Sequence, residues 1–558
     1  MIKSIELKFG AVAGGSPLSF DLSPVTVFVG PNYSGKSRLI SEIQHRCTQS
    51  HLQSDRLILE TLKFRNFDLP EAVGRVNAIK APVPQNHNAV PGYIYVGRNG
   101  KSAHVNEREL IEALQNTNHD YFRGIFTSSY LNFRSLTLNG RNRTDLVSDQ
   151  PAGDLQQPPQ SSFQHLFQDD CMRERLSKIV HKALGLYLVV DPTNLGQLRL
   201  RLSKLPPTSH ELERGLTVAS VAFHAAATHI LSTSDGAKAF VGVLAEIEAG
   251  EPEVLLLDEL EAFLHPSLAF ALGKEIVQSI ATTQKKLFVA THSPQFLMGC
   301  MQTGASINVV RLTYRDGVST ARLLQSQDLV KLMRHPLLRS VGVISALFYE
   351  NVIVTEADTD RAFYQEINER LLRIGDKRGI DNCIFLNAQN MQTVPTVLAP
   401  LRKLGIAAAS IYDIDFVKNS GRISTSYLSA ATIPKIVQQT LTTWRAGIHQ
   451  ALEASGKDFK KLGGIEVLSL DDKKSAIDYL NQLDAYGVFV VRGGELESWL
   501  RSLNITGHGP PWLGEMFERM GEDPDSLSYI SPEDGDVWDF IGTIRAWLMN
   551  PDRKGIPS

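Results

Sequence analysis

The chain is poor in the features that announce a compartment or a partner. Its 558 residues hold four cysteines, Cys47, Cys171, Cys300 and Cys383, with no CxxC pair. That argues against a disulfide framework and a thiolate zinc site, so reduced core residues are expected. Charge of one sign is also missing. Lys+Arg number 57 against 60 Asp+Glu, a formal −3, so no global basic field marks a nucleic-acid coat and any such surface has to be local. The small basic groups at Arg134, Arg141 and Arg143, and at Arg334 and Arg339, read as solvated surface. No apolar run is long enough to span a bilayer, and Met1 to Gly10 carries Lys3, Glu6 and Lys8 where a secretory leader is apolar. A cytoplasmic protein without a membrane partner is expected. No heptad array is present, which excludes a long coiled-coil arm. With 43% hydrophobic and 21% charged residues the composition is globular, and the length calls for two or three domains.

What is present begins at Gly30-Pro31-Asn32-Tyr33-Ser34-Gly35-Lys36-Ser37, which follows the apolar run Val25 to Val29 and fits the phosphate-loop pattern GxxxxGK[ST]. A strand entering a glycine-bounded loop and then a helix aims backbone N–H groups and a helix N-terminus at one anion. Lys36 is placed for the β/γ-phosphates of a nucleotide and Ser37 for its Mg²⁺. Farther on, Val254 to Leu257 is an apolar strand closed by Asp258 and Glu259. A carboxylate pair at the C-terminal edge of a parallel sheet suits one group for holding Mg²⁺, Asp258, and one for polarising the attacking water, Glu259. A third apolar strand, Leu287 to Ala290, leads to Thr291-His292, and His292 is expected at the γ-phosphate. Helices are expected at 174–186, 236–249 and 268–280.

A second group of acids lies downstream. Asn351 to Thr355 is a buried strand leading to Glu356, with Asp360 at the start of a helix bearing Phe363, Ile367 and Leu371. Ile406 to Ile411 is another apolar strand, followed by Asp413-Ile414-Asp415. On an extended chain the two aspartates share a face. Four carboxylates gathered at strand ends repel one another unless cations neutralise them, so a divalent-metal site at Glu356, Asp360, Asp413 and Asp415 is the economical reading.

The first motif set resembles the ABC-type ATPases of the SMC-like class. Leu260 stands where that class usually has proline, and Leu264-His265-Pro266 fits its run after the acids. The resemblance implies ATP, a signature loop at Ser234-Asp235-Gly236 that contacts nucleotide across a dimer, and at least two copies of the chain; Gln150 is the candidate glutamine of its Q-loop. The second set is similar to a Toprim domain, with Thr355-Glu356-Ala357-Asp358-Thr359-Asp360 standing where that family places a glycine after the glutamate. That resemblance implies Mg²⁺ or Mn²⁺ for phosphodiester chemistry, with Glu497 of Gly493-Gly494-Glu495-Leu496-Glu497 as a further ligand and Lys473, Lys474 or Lys554 as the cationic stabiliser. Both sets in this order resemble the OLD (overcoming lysogenisation defect) nucleases, including the ATPase-nuclease subunit of Gabija-type antiphage systems. The expected α/β architecture is an ABC-type P-loop ATPase domain at 1–325 with an inserted lobe at about 50–225, a helical linker at 326–350, and a Rossmann-like Toprim nuclease domain at 351–558 with a C-terminal helical extension. The implied function is an ATPase-controlled endonuclease in antiphage defence, acting on DNA before RNA, with room for a partner protein. The alternatives are a PARIS-like ribonuclease cutting tRNA and a non-catalytic ATP-driven clamp or scaffold.

Overall fold

A computed structural model describes the chain except residues 52, 84–89, 99–100, 141, 143, 157–158 and 558. Arg141 and Arg143 therefore lie outside the described residues. Two compact units are present, Met1–Gln327 and Asp328–Ser558.

The first unit is organised by a six-stranded sheet in the order Val318–Leu324, Ile307–Arg315, Val25–Val29, Lys286–Ala290, Val254–Asp258, Ser135–Leu138. All neighbours run parallel except the antiparallel edge strand Val318–Leu324. Val25–Val29 is buried along its whole length, as continuous apolar runs must be when both faces of a parallel sheet are covered. Phe28 and Phe288 stack at 6.3 Å, and Leu39, Ile40 and Ile43 of the helix Lys36–Thr48 pack into the same core. Register then fixes the functional edge. Asp258 is opposite Ala290 and Ala290 opposite Phe28, so the loops after all three strands emerge side by side.

The stretch 50–225 is not a single inserted lobe. Leu59–Phe64 pairs antiparallel with Ile2–Leu7: Leu62 and Phe64 give one strand face to the core, and the register shift between Glu6 and Leu7 accompanies the burial of Leu59 as well. Ser135–Leu138 joins the main sheet beside Val254–Asp258; four residues are too short to show a period. Two smaller sheets are built from the rest of the stretch, one from Lys80–Ala81, Tyr93–Arg98 and Lys101–Asn106, the other around Tyr187–Asp191 and Gln197–Ser203. Arg134 is not solvated surface: it is buried, with Nη1 3.0 Å from Glu251. Arg334 and Arg339 are exposed. The cysteines are all free, and Cys171 is exposed rather than a core residue.

The second unit opens with helices Ser326–Arg334 (its first residues belong to the preceding unit) and Pro336–Ser340. Its sheet is four-stranded and wholly parallel, in the order Cys383–Asn387, Asn351–Thr355, Ala407–Tyr412, Val488–Val490. The helix Asp358–Arg373 lays Phe363, Ile367 and Leu371 on one side, where the C-terminal helices Pro510–Met520 and Asp536–Met549 add Trp512 and Trp538 to the core. Helices Lys435–Ala454 and Leu470–Asp484 lie between the third and fourth strands in sequence. Among the described residues no helix is long and apolar enough to cross a membrane.

Candidate functional site

The loop after Val25–Val29 is shaped by two glycines. Gly30 has φ +144°, and a Cβ there would lie 2.1 Å from the Leu312 carbonyl oxygen; Gly35 has φ +91° with Ile58 at 2.5 Å from a Cβ. Only glycine fits either position. The helix Lys36–Thr48 starts from Gly35 without a side-chain cap, which leaves its first-turn N–H groups for an anion. Lys36 Nζ donates to the carbonyls of Gly30 (2.8 Å) and Pro31 (2.7 Å) and to Ser34 Oγ (3.2 Å). Burial pulls the ammonium down to about 8, against the pull of Asp258, Glu261 and Glu259. A bound polyanion would reverse that penalty. Asn32 and Tyr33 are exposed, and Tyr33 has φ 61°.

Ser37 Oγ donates to Asp258 Oδ1 at 3.0 Å, so residues far apart in sequence meet as a hydroxyl–carboxylate pair fit for one hard cation. Burial raises the Asp258 carboxyl above its ordinary value, with the Ser37 hydroxyl opposing. Glu259 follows with φ 52° and its N–H on the Ala290 carbonyl at 3.0 Å. Glu261, two residues beyond Glu259, is half-buried and accepts the His292 N–H at 2.5 Å. It ties the third strand's end to the acidic turn. Burial first, then Lys36, lowers the His292 imidazole, which is half-buried at this edge. Ser234 caps the helix Asp235–Glu248 by accepting from Ala237 N–H at 3.4 Å, and Asp235 pairs with Lys238 at 3.0 Å. Gly236 packs where a Cβ would be 2.9 Å from the Phe263 carbonyl oxygen. Among the described residues no hydrogen bond joins these three to the Gly30–Ser37 loop. Gln150 is elsewhere: it lies in a short strand paired with Gln197–Ser203, and its Oε1 accepts from Phe163 N–H at 3.4 Å.

In the second unit, Glu356 and Asp413 follow two adjacent parallel strands, and Glu356 Oε1 accepts the Asp413 N–H at 2.9 Å. Asp360, in the first turn of Asp358–Arg373, accepts the Ala357 N–H at 3.2 Å. Burial first, then the charge of Asp413, pushes Glu356 up to about 8 and Asp360 up to about 7. Asp413 is also raised by burial, despite an adjacent ammonium. The extended-chain argument for Asp413 and Asp415 does not hold, because Ile414–Lys418 is a 3₁₀ turn. What joins them is Lys460, whose Nζ lies 3.1 Å from Asp413 Oδ2, 3.0 Å from Asp415 Oδ2 and 3.7 Å from Glu495 Oε2.

The lysine beside these acids is Lys460, and the three named from sequence lie elsewhere. Lys473 pairs with Glu466 at 2.6 Å, Lys554 sits 5.7 Å from the Tyr486 ring centre, and Lys474 is exposed on Leu470–Asp484. Glu497 stands apart from the ammonium, accepting the Gly509 N–H at 3.0 Å with His508 Nδ1 at 2.6 Å from the same oxygen. The donor set of Glu356, Asp360, Asp413 and Asp415, all half-buried, suits Mg²⁺ or Mn²⁺: it offers oxygens only, and burial with mutual repulsion raises three of the four acids, which a cation would relieve.

Residues 102–298 match the family described as "AAA domain, putative AbiEii toxin, Type IV TA system", so the first unit carries an AAA-type ATPase domain. No curated protein matches the chain. Among solved structures, an SMC head bound to the C-winged helix domain of ScpA is 15% identical, covering 59% of this chain and 99% of that one, with a TM-score of 0.34. The SMC head domain from Thermotoga maritima is 17% identical over 58% and 99%, TM-score 0.29. An SMC head with an extended coiled coil, bound to the C-terminal domain of ScpA derived from Pyrococcus furiosus, is 15% identical over 60% and 98%, TM-score 0.31.

Proposed function

We propose that this protein is an OLD-type, ATPase-controlled, metal-dependent endonuclease, with an ABC-type nucleotide unit followed by a Toprim unit, acting on DNA in antiphage defence. The observation that carries the nuclease reading is the gathering of Glu356, Asp360, Asp413 and Asp415 at one edge of a parallel sheet, with the Lys460 ammonium on Asp413 and Asp415. Ligands collect at such edges. These four residues, with Glu497, would hold Mg²⁺ or Mn²⁺, which when bound supplies an activated water and charge stabilisation for phosphodiester hydrolysis. In the first unit Lys36 and the Gly30–Ser37 backbone bind the phosphates of ATP. Ser37 and Asp258 are placed for its Mg²⁺, Glu259 orients the attacking water, and Glu261 holds the His292 backbone beside it. Ser234, Asp235 and Gly236 have only local partners, which supports a role toward the nucleotide of a second copy; the working form is at least a dimer through these ATPase units, in the cytoplasm.

The test is cleavage of plasmid DNA and of tRNA by wild type, Lys36→Ala and Asp413→Ala, in Mg²⁺ or Mn²⁺, with and without ATP. Asp413→Ala is expected to abolish cleavage and keep nucleotide binding. Lys36→Ala, losing charge-assisted bonds to phosphate, should weaken ATP binding by roughly 10- to 100-fold and alter cleavage only when ATP is present. Cleavage of tRNA alone would move the reading to a defence ribonuclease. Full cleavage by Asp413→Ala would end the metal-centre reading.

A further inference from the structure

In the first unit the helix Val218–Ala226 is built inside out. Its buried residues are Ser220 and His224, and both are held by polar bonds: Ser220 Oγ donates to the Glu211 carbonyl at 3.3 Å, and His224 Nε2–H to the Glu213 carbonyl at 2.8 Å. Val218 is 89% exposed, and Ala219, Val221, Ala222, Ala225 and Ala226 are exposed with it. An ordinary surface helix does the reverse, turning its apolar stripe to the core and its polar residues to water. Leu216 before the helix and Leu231 after it are exposed as well. We propose that this apolar face docks on a second copy of the chain, as the flank of the contact that Ser234-Asp235-Gly236 makes across the ATPase dimer. The proposal rests on the dimer reading and extends it to a surface that nucleotide chemistry does not require.

Charge decides what class of partner fits. From Gly215 to Ser234 the chain has no Asp, Glu, Lys or Arg. A nucleic acid or an anionic membrane surface needs cations that this stretch lacks, and no described helix is long and apolar enough to cross a membrane. Contiguous exposed apolar side chains mark protein contacts. Because the face is uncharged, a copy of the same chain meets it without like-charge repulsion.

Position names the occupant. Just past the helix, Thr228 and His229 pair with Leu202 and Arg201 of the strand Gln197–Ser203, and Arg201 Nη1 donates to the Ala227 carbonyl at 2.9 Å. The end of the helix is thereby fixed to the strand from which the chain passes through the 3₁₀ turn Ile230–Ser232 to Ser234. Leu231, Ser232, Ser234 and Asp235 are exposed, so exposure continues from the helix to the loop. Beside the loop, Gly236 packs against the backbone of Phe263, whose side chain is 70% exposed. Apolar groups therefore lie before and beside the one loop that is read as facing a second copy. On that reading the surface opposite is the second copy's Gly30–Ser37 loop, and there Tyr33 is exposed, an aromatic of the kind enriched in interface cores.

Sedimentation velocity of the full chain in Mg²⁺, with and without a non-hydrolysable ATP analogue, tests this on wild type, Val218→Glu and Lys36→Ala, together with hydrogen exchange over residues 216–231. Wild type should associate when the analogue is present, and exchange over 216–231 should slow as it does. A glutamate in the first turn suits the helix dipole, so Val218→Glu should keep the wild-type melting temperature and bind the analogue, while its self-association weakens by at least about tenfold. Lys36→Ala should lose the analogue-dependent association. Wild-type association by Val218→Glu, or unchanged exchange over 216–231 in the associated form, would overturn the docking face and leave the nucleotide-dependent dimer standing. Association that needs no analogue and is lost in Val218→Glu would keep the docking face and overturn the nucleotide-dependent contact. A wild type that stays monomeric with the analogue would overturn both.

Discussion

Lys460→Met removes an ammonium from among three carboxylates while keeping a long unbranched side chain, and the structure sets the size of the effect. Removing one member of a buried ion pair costs about 3–5 kcal/mol, and of an exposed pair about 0–1 kcal/mol. The side chains of Lys460 and Asp413 are 27% and 15% exposed, between these limits, and part of the loss is recovered when the acids take up protons. A destabilisation of about 2 kcal/mol is expected without metal. For a unit of this size that lowers the melting temperature by roughly 4–8 °C, read as the transition of the Asp328–Ser558 unit by calorimetry in EDTA. A divalent ion and Lys460 Nζ both need Asp413 Oδ2 and Asp415 Oδ2, so saturating Mg²⁺ should repair most of the loss in the variant. Because ligand stabilisation grows with [L]/Kd, the rise in melting temperature on adding Mg²⁺ should be larger for Lys460→Met than for wild type. An equal loss in EDTA and in Mg²⁺ would show that Lys460 is a packing residue. No loss in EDTA would show that it is not the counter-ion of these acids at all.

The same acids set a pH dependence. Glu356 and Asp360 are raised to about 8 and about 7 in the folded chain, so the native state holds more protons than the unfolded state from near pH 4 upward. Their contribution is fully present at acid pH and is lost as pH rises through 7 to 8. Asp484, raised by burial to about 6, acts with the same sign, whereas Asp415, Asp358 and Asp376 are lowered and act only at more acid pH. Melting of this unit in EDTA should therefore fall between pH 5 and 8.5, and Mg²⁺ should flatten the slope; a rising profile in EDTA would contradict the burial of the cluster. In the first unit, Gly30→Ala meets both a forbidden φ and the Leu312 carbonyl, and should cost roughly 2–4 kcal/mol. Gly74→Ala, on an exposed helix position with open space around it, should instead gain about 0.5–1 kcal/mol. Equal melting shifts for the two would refute the strain argument.

The parts of both sites that were legible in sequence are those with local causes. A glycine-bounded loop after an apolar strand, and acids closing apolar runs, are written within a few consecutive residues, and parallel register then aligns Phe28, Asp258 and Ala290 without further information. Lys460 was not legible because nothing in Lys457-Asp458-Phe459-Lys460-Lys461 separates it from its neighbours. Its place is set by backbone packing between distant segments: a Cβ on Gly494 (φ +126°) would stand 2.0 Å from the Lys460 carbonyl oxygen, and one on Gly464 (φ +60°) 1.9 Å from that of Arg492. The Ile465 N–H on Arg492 at 3.0 Å and the Ile414 N–H on Gly494 at 2.8 Å lock the two segments to the turn that carries Asp415. The readable signal was therefore Gly464 and Gly494: the first leaves room for the backbone of Arg492 and Gly494, the second for that of Phe459 and Lys460. Glu42 shows the same limit: its buried carboxylate accepts the N–H groups of Leu57, Ile58 and Leu59, a partnership that exists only once the strand Leu59–Phe64 has found Ile2–Leu7. Chemistry at a strand end can be read one segment at a time, whereas a counter-ion delivered by a distant loop is fixed by whichever backbones the glycines allow to touch.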